Sequence, residues 1–173
     1  MIFNERETRR AYVMNAVRQM MTAARTAPKG KGVDIIEIAA VEGDEIKVLS
    51  DKMLEVGEEK GLKFFFRDAN NILLAEAVVL IGTRQQTQGL NCNHCGFSKC
   101  DEKPETIPCA INSIDVGIAI GSACATAADL RLDTRVMFSA GLTAQKLNLL
   151  KGCQLVFAIP VSASSKNPFF DRV

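Results

Sequence analysis

Four cysteines, Cys92, Cys95, Cys100 and Cys109, stand within eighteen residues in the spacing C-x2-C-x4-C-x8-C, inside the stretches GLNCNHCGFSKC and IPC. Deprotonated thiols are soft donors. A C-x2-C turn places two of them on one metal centre, and later cysteines can complete a four-thiolate set. Three readings stay open. Structural zinc would use the same four thiolates, although zinc modules usually pair two short C-x2-4-C turns and this spacing is irregular for that. Plain reduced thiols are the bland alternative, and so tight a cluster argues against them. An iron–sulfur cluster suits an irregular, glycine-containing loop whose backbone N–H groups can face sulfur. The spacing follows neither the bacterial C-x2-C-x2-C run nor the plant-type C-x4-C-x2-C run, so the cluster type stays open. His94, between the first two cysteines, reads as a surface residue rather than a ligand. Cys153 reads as a buried small hydrophobe, and Cys124 as core packing, with a position facing the cluster or a cofactor as its alternative.

Little other chemistry competes with this block. The only histidine lies inside it and no carboxylate pair stands out, so no acid–base dyad is on offer. Neither a phosphate-binding P-loop nor a dinucleotide-binding glycine motif occurs. A net charge of +1 asks for neither nucleic acid nor an anionic membrane as partner. The longest apolar runs are about eight to ten residues, whereas a membrane-spanning helix needs roughly 20. The opening MIFNERETRRAYV lacks a signal-peptide core. A cytoplasmic location is therefore expected, where disulfides are disfavoured and clustered cysteines hold metal or carry redox chemistry.

The elements around the block follow from hydrophobic periodicity. A stripe through Tyr12, Val13, Ala16, Val17, Met20, Met21 and Ala24 predicts a helix over 5–26, capped by Asn4 or Thr8 and stopped by Pro28. The turn PKGKG at 28–32 leads into a strand over 33–41. Asp44 is the expected cap of a helix over 45–60, with Gly61 as its stop. FFFRDANNILL at 64–74 suits either a strand end or a helix start, and 75–83 reads as a buried strand. Residues 84–110 form a polar loop long enough to need a reason, which a metal supplies. A helix follows from 112, capped by Asn112, Ser113 or Asp115, with a small-residue stripe at Gly117, Gly121, Cys124 and Ala128. TRVMFSA reads as a strand, LTAQKLNLL as a short helix before Gly152, and CQLVFAIPV as the last strand. The expected class is α+β, with helices packed on one sheet across a single domain.

Three stretches carry a resemblance. MMTAARTAPKGKGVDIIEI resembles the segment that opens the flavin nitroreductase fold. DVGIAIGSACATAADLRLDTRVM resembles that fold's central helix, and QLVFAIPVSASSKNPFFDRV its closing strand and the basic residue beyond. With a cysteine block before the central helix, the chain resembles the bacterial and archaeal family of uncharacterised ferredoxin-domain-containing proteins. The resemblance implies a nitroreductase-like α+β fold over residues 1–173: a mixed sheet with packed helices and an inserted cysteine-rich, ferredoxin-like metal loop at 89–110. It also implies a homodimer with FMN sites at the subunit interface. On matching positions the flavin contacts become Lys29, Gly30, Lys31, Gly32 and Lys166. Several positions depart from the family pattern. The arginine–serine–arginine grip on the FMN phosphate has no clean counterpart, Lys29 stands where the serine is expected, and the extended C-terminal arm is missing. These departures predict that FMN binds weakly or not at all. The function expected is electron transfer by an iron–sulfur protein to a redox partner, or to a flavin at a dimer interface. The alternative is a non-enzymatic module in which zinc or a cluster fixes the loop for a protein partner.

Overall fold

Alternation along two central strands sends side chains to opposite faces, and each face is covered by its own helices. In the computed structural model, residues 1–170 are described. Strand β1 (Ile36–Glu42) pairs with β2 (Ala77–Arg84), β2 pairs with β4 (Cys153–Ser162), and the two-residue β3 (Asp133–Thr134) closes the far edge. Every pairing among the described strands is antiparallel, a narrower arrangement than the mixed sheet expected. One face carries Ile36, Val79, Ile81, Ile159 and Val161. Helices α1 (Glu5–Thr26) and α4 (Ala110–Asp129) pack on it. The other face carries Val78, Leu80, Val156 and Ala158, under α2 (Asp44–Lys60), α3 (Phe64–Ile72) and α5 (Phe138–Lys146). The result is three layers with the sheet in the middle.

Local chemistry sets most boundaries. Asn4 caps α1 by accepting the Arg6 N–H at 3.1 Å. Gly61 ends α2 in the left-handed region at φ 65°. Asp44 is the first residue of α2 and Gly43 its cap, so the expected aspartate cap lies one position late. The strand expected from residue 33 starts at Ile36, because the Asp34 side chain accepts the Ile36 N–H and pairs with Arg25 at 2.8 Å. The ambiguous 64–74 stretch is a helix that buries Phe65, Ala69 and Ile72.

The larger correction concerns TRVMFSA. Only Asp133–Thr134 and a single bridge at Met137 are extended, and the chain turns helical at Phe138. Gly141 explains the close fit of that helix: a Cβ there would stand 2.2 Å from the Val156 carbonyl oxygen and 2.5 Å from the Phe157 Cα. The absent side chain lets α5 lie against the backbone of β4.

On the opposite face, α4 approaches α1 through Ala119, Ala123 and Ala127, all fully buried. Ser122 Oγ donates to the Ala23 carbonyl at 2.9 Å, and the Tyr12 hydroxyl to the Leu130 carbonyl at 3.0 Å. The outer side of α4 carries Ile114, Gly117, Ile118, Gly121 and Ala125, all exposed and uncharged. Among the described residues α4 is also the one helix long and apolar enough, by length and composition, to cross a membrane.

Candidate metal loop and the turn beside it

The chain between β2 and α4 has almost no apolar means of ordering itself. Of residues 85–109 only Gln88 and Cys109 are buried. The base of the loop is tied to the sandwich. Asn112 Nδ2 donates to the Gln86 carbonyl at 2.5 Å and Lys31 Nζ to the Gln88 carbonyl at 2.9 Å, while within the loop Gln85 Nε2 donates to the Glu105 carbonyl at 2.9 Å. Further out, backbone conformations that asparagine and glycine tolerate bend the chain around the first cysteines. Asn91 and Asn93 have φ 47° and 61°, and Gly96 has φ 89°. The Asn93 carbonyl accepts the Gly96 N–H at 3.0 Å, closing a turn around Cys95.

Two hydrogen bonds then join Asn91 to Cys100 across the loop. The Cys100 N–H donates to Asn91 Oδ1 at 2.8 Å, and the Asn91 N–H donates to Cys100 Sγ at 3.4 Å. A main-chain amide donated to a cysteine sulfur is the kind of outer contact that metal-bound sulfurs receive. Cys92, Cys95 and Cys100 are half-buried, Cys109 is 6% exposed, and His94 is exposed. Cys109 also caps α4, the helix expected to begin at residue 112. Beside Cys100 lies a cleft of about 270 Å³ lined by Gln86, Thr87, Lys103 and Glu105 among others. Among the described residues, no three His, Cys, Asp or Glu side chains are grouped so as to hold a metal ion. The donor set itself, four soft thiols and a main-chain N–H on sulfur, fits a thiolate-bound metal or iron–sulfur cluster.

The turn at 28–32 sits against this loop. Lys29 Nζ donates to the carbonyls of Ala24 at 3.2 Å and Ala27 at 2.7 Å, and also to that of Arg25. Those are acceptors that the end of α1 leaves unpaired. Lys31, at φ 57°, reaches the loop base through Gln88. The Gly30 N–H donates to both Asp115 carboxylate oxygens at 3.0 Å. Gly30 is needed for close approach rather than for a ligand, since a Cβ there would stand 2.6 Å from Ile111 Cγ2. Gly32, at φ 68°, has open space around its missing side chain.

Lys166, the other expected flavin contact, is exposed and follows β4. The turn leads into the Ile36 end of the sheet, which pairs with Thr83. Lys166 lies beyond the other end, where Val161 pairs with Ala77. The two sheet ends they adjoin are separated by the length of β2, about 25 Å at roughly 3.3 Å per residue.

Asp115, Asn112 and Gln88 are site residues that sequence patterns alone do not single out. The two polar positions at the start of an apolar helix read as caps, but both turn inward and are 3% and 0% exposed. Their i, i+3 spacing on the face shared with buried Val116 and Ala119 is the available signal. Of the remaining thiols, Cys124 packs among the α1–α4 core residues, as expected, and burial raises its thiol above the ordinary range. Cys153 is half-buried rather than buried. Desolvation first, and the Glu37 carboxylate second, push its thiol up to about 11.

Residues 105–172 match the family described as an uncharacterized protein containing a ferredoxin domain (DUF2148). A protein of Archaeoglobus fulgidus described as uncharacterized is 41% identical over 182 residues, covering 99% of this chain and 98% of its own. Among solved structures, nitroreductase CinD from Lactococcus lactis in complex with nicotinic acid aligns with a TM-score of 0.61 at 13% identity, over 95% of this chain and 81% of that one. A nitroreductase with bound FMN from Bacteroides fragilis aligns with a TM-score of 0.61 at 11% identity, over 87% and 77%. The fold is nitroreductase-like.

Proposed function

The chain belongs to the family of uncharacterized proteins containing a ferredoxin domain, and on that premise we propose that it is an iron–sulfur redox protein working as a homodimer. Cys92, Cys95, Cys100 and Cys109 would hold the cluster. When bound, such a cluster supplies one-electron transfer. The single observation that carries this reading is the loop itself: four thiols within eighteen residues, with an amide already donated to Cys100 Sγ. Asn91 would tune the centre through that bond and hold Cys100 in place through its side chain. Cys109, at the start of α4, would tie the centre to the sandwich. Reduced thiols of this kind fit a reducing compartment such as the cytoplasm.

The dimer rests on α4. An exposed helix face of Ile114, Gly117, Ile118, Gly121 and Ala125, without a charge, suits close packing against a second copy. A second copy would also be needed for one flavin to meet both the 28–32 turn and Lys166. We propose that FMN is nonetheless held weakly. Lys29 closes α1 and Lys31 ties down the loop base, so neither is available without breaking bonds already made.

Anaerobic purification tests the reading. The expected product is brown and contains iron and acid-labile sulfide. Serine at position 92, 95, 100 or 109 lowers the iron content strongly, and Cys153→Ser leaves it intact. Colourless, zinc-loaded protein would overturn the redox reading in favour of a metal-stapled interaction module. Unchanged metal in the four variants would overturn the ligand set.

A further inference from the structure

We propose that Asp115, Asn112 and Gln88 form a buried site for one alkali-metal cation, at the junction of α4, the loop base and the 28–32 turn. The proposal does not depend on the cysteine centre.

Asp115 is 3% exposed, and none of the ion pairs among the described residues involves it. Among those residues, each of its oxygens accepts only from the Gly30 N–H. A carboxylate buried with one neutral donor and no cation is an expensive arrangement. Lys31 is the nearby cation, but its ammonium donates to the Gln88 carbonyl. Asn112 lies one turn before Asp115 on the same helix face and is fully buried. Its Nδ2 is committed to the Gln86 carbonyl, which fixes the amide so that Oδ1 is the free atom, and Oδ1 has no hydrogen-bond partner among the described residues. Gln88, 5% exposed, faces the helix from the loop, and neither of its amide atoms has a partner there. The place a Gly30 Cβ would occupy is 3.5 Å from Asp115 Oδ2 and 3.8 Å from Gln88 Cδ, so the carboxylate and the amide both flank Gly30, with the Ile111 methyl 2.6 Å from the same place closing it off from the ion.

Oxygen is the donor type that hard cations select. One carboxylate with two neutral amide oxygens balances a single positive charge, which favours sodium or potassium over calcium or magnesium. Such an ion would relieve the lone carboxylate and satisfy Asn112 Oδ1 and Gln88 Oε1 together. It would also fasten the loop base to α4 and to the 28–32 turn.

Thermal unfolding at constant ionic strength, with tetramethylammonium chloride replaced stepwise by sodium or potassium chloride, is the test. The expected result is a rise in Tm that grows with the logarithm of alkali-ion concentration and reaches about 5–10 °C at a hundredfold excess over the Kd. Asp115→Asn should abolish the rise. Should that variant fail to fold, Gln88→Leu removes the amide from the loop side alone and should lose most of the response. A crystal soaked in thallium(I) should give an anomalous peak among the three oxygens. Equal Tm in all three salts, a rise that survives in Gln88→Leu, or an ordered water there with no anomalous peak would each overturn the proposal.

Discussion

The sandwich and the cysteine loop are ordered by different means, and the contrast separates what holds this molecule from what it does. In the sandwich, apolar side chains fill both faces of the sheet, and fully burying one such as Leu80 or Phe65 contributes about 1.5–3 kcal/mol. Residues 85–109 bury only one polar side chain and one thiol. Their order comes from main-chain turns, asparagines in left-handed conformations and a few hydrogen bonds to the base. Each such bond adds only about 0.5–1.5 kcal/mol net, which is hardly more than the entropy cost of fixing one residue, about 1–2 kcal/mol. A region ordered so thinly is where bound metal would make the most difference.

The contrast can be tested by perturbing one region and reading the other. The largest effect should follow removal of the proposed metal with a strong chelator. Backbone amides of residues 89–107 should then exchange at nearly the rate of an unprotected chain, while β2 and β4 keep their protection. Loss of protection across both regions at once, read by hydrogen exchange, would show them to be one cooperative unit. Next in size is Gly141→Ala. A methyl group against the β4 backbone should cost about 3 kcal/mol, a fall in Tm of roughly 6–12 °C, with metal content per folded protein unchanged. Calorimetry and metal analysis on the same sample decide it.

Flavin binding is a smaller and riskier test. Each charge-assisted hydrogen bond missing at the phosphate forfeits about 1.5–3 kcal/mol, set against the roughly 8 kcal/mol of micromolar affinity. Titration should therefore show FMN binding no tighter than micromolar. Fluorescence quenching at submicromolar FMN would make the turn a working flavin site.

The smallest effect is a pH dependence. Cys153 has its thiol raised from 9.0 to about 11 in the folded protein, so folding favours the protonated form. The associated stability is present below about pH 9 and lost as pH rises toward 11. Denaturant midpoints of the protein and of Cys153→Ala should converge across that window, and parallel curves would refute the assignment.

Much of the sandwich is legible in the amino-acid sequence, because periodicity reports burial directly. The α1 stripe, the Gly61 stop and the run at 77–82 each give one local answer. Residues 134–140 mislead because MFSA is short and apolar. The helix it begins packs, through the close approach of Gly141, on a strand that comes later in the chain. The candidate site divides the same way. The cysteines announce themselves by spacing, whereas Asp115 and Asn112 pass as helix caps. Their partners, Gly30 and Gln86, are distant in sequence. The lysines of the turn offer positive charge that is already spent on carbonyls, which no sequence pattern reveals.

Both ends of the cysteine loop are anchored by groups outside it. The Arg84 N–H donates to the Ile35 carbonyl and its guanidinium pairs with Glu37, while Asp115 holds α4 through Gly30. The segment between behaves as a cassette plugged into two fixed sockets. A lineage could lengthen it, respace its cysteines or discard it without solving the sandwich again, so the chemistry and the architecture can be inherited, and lost, separately.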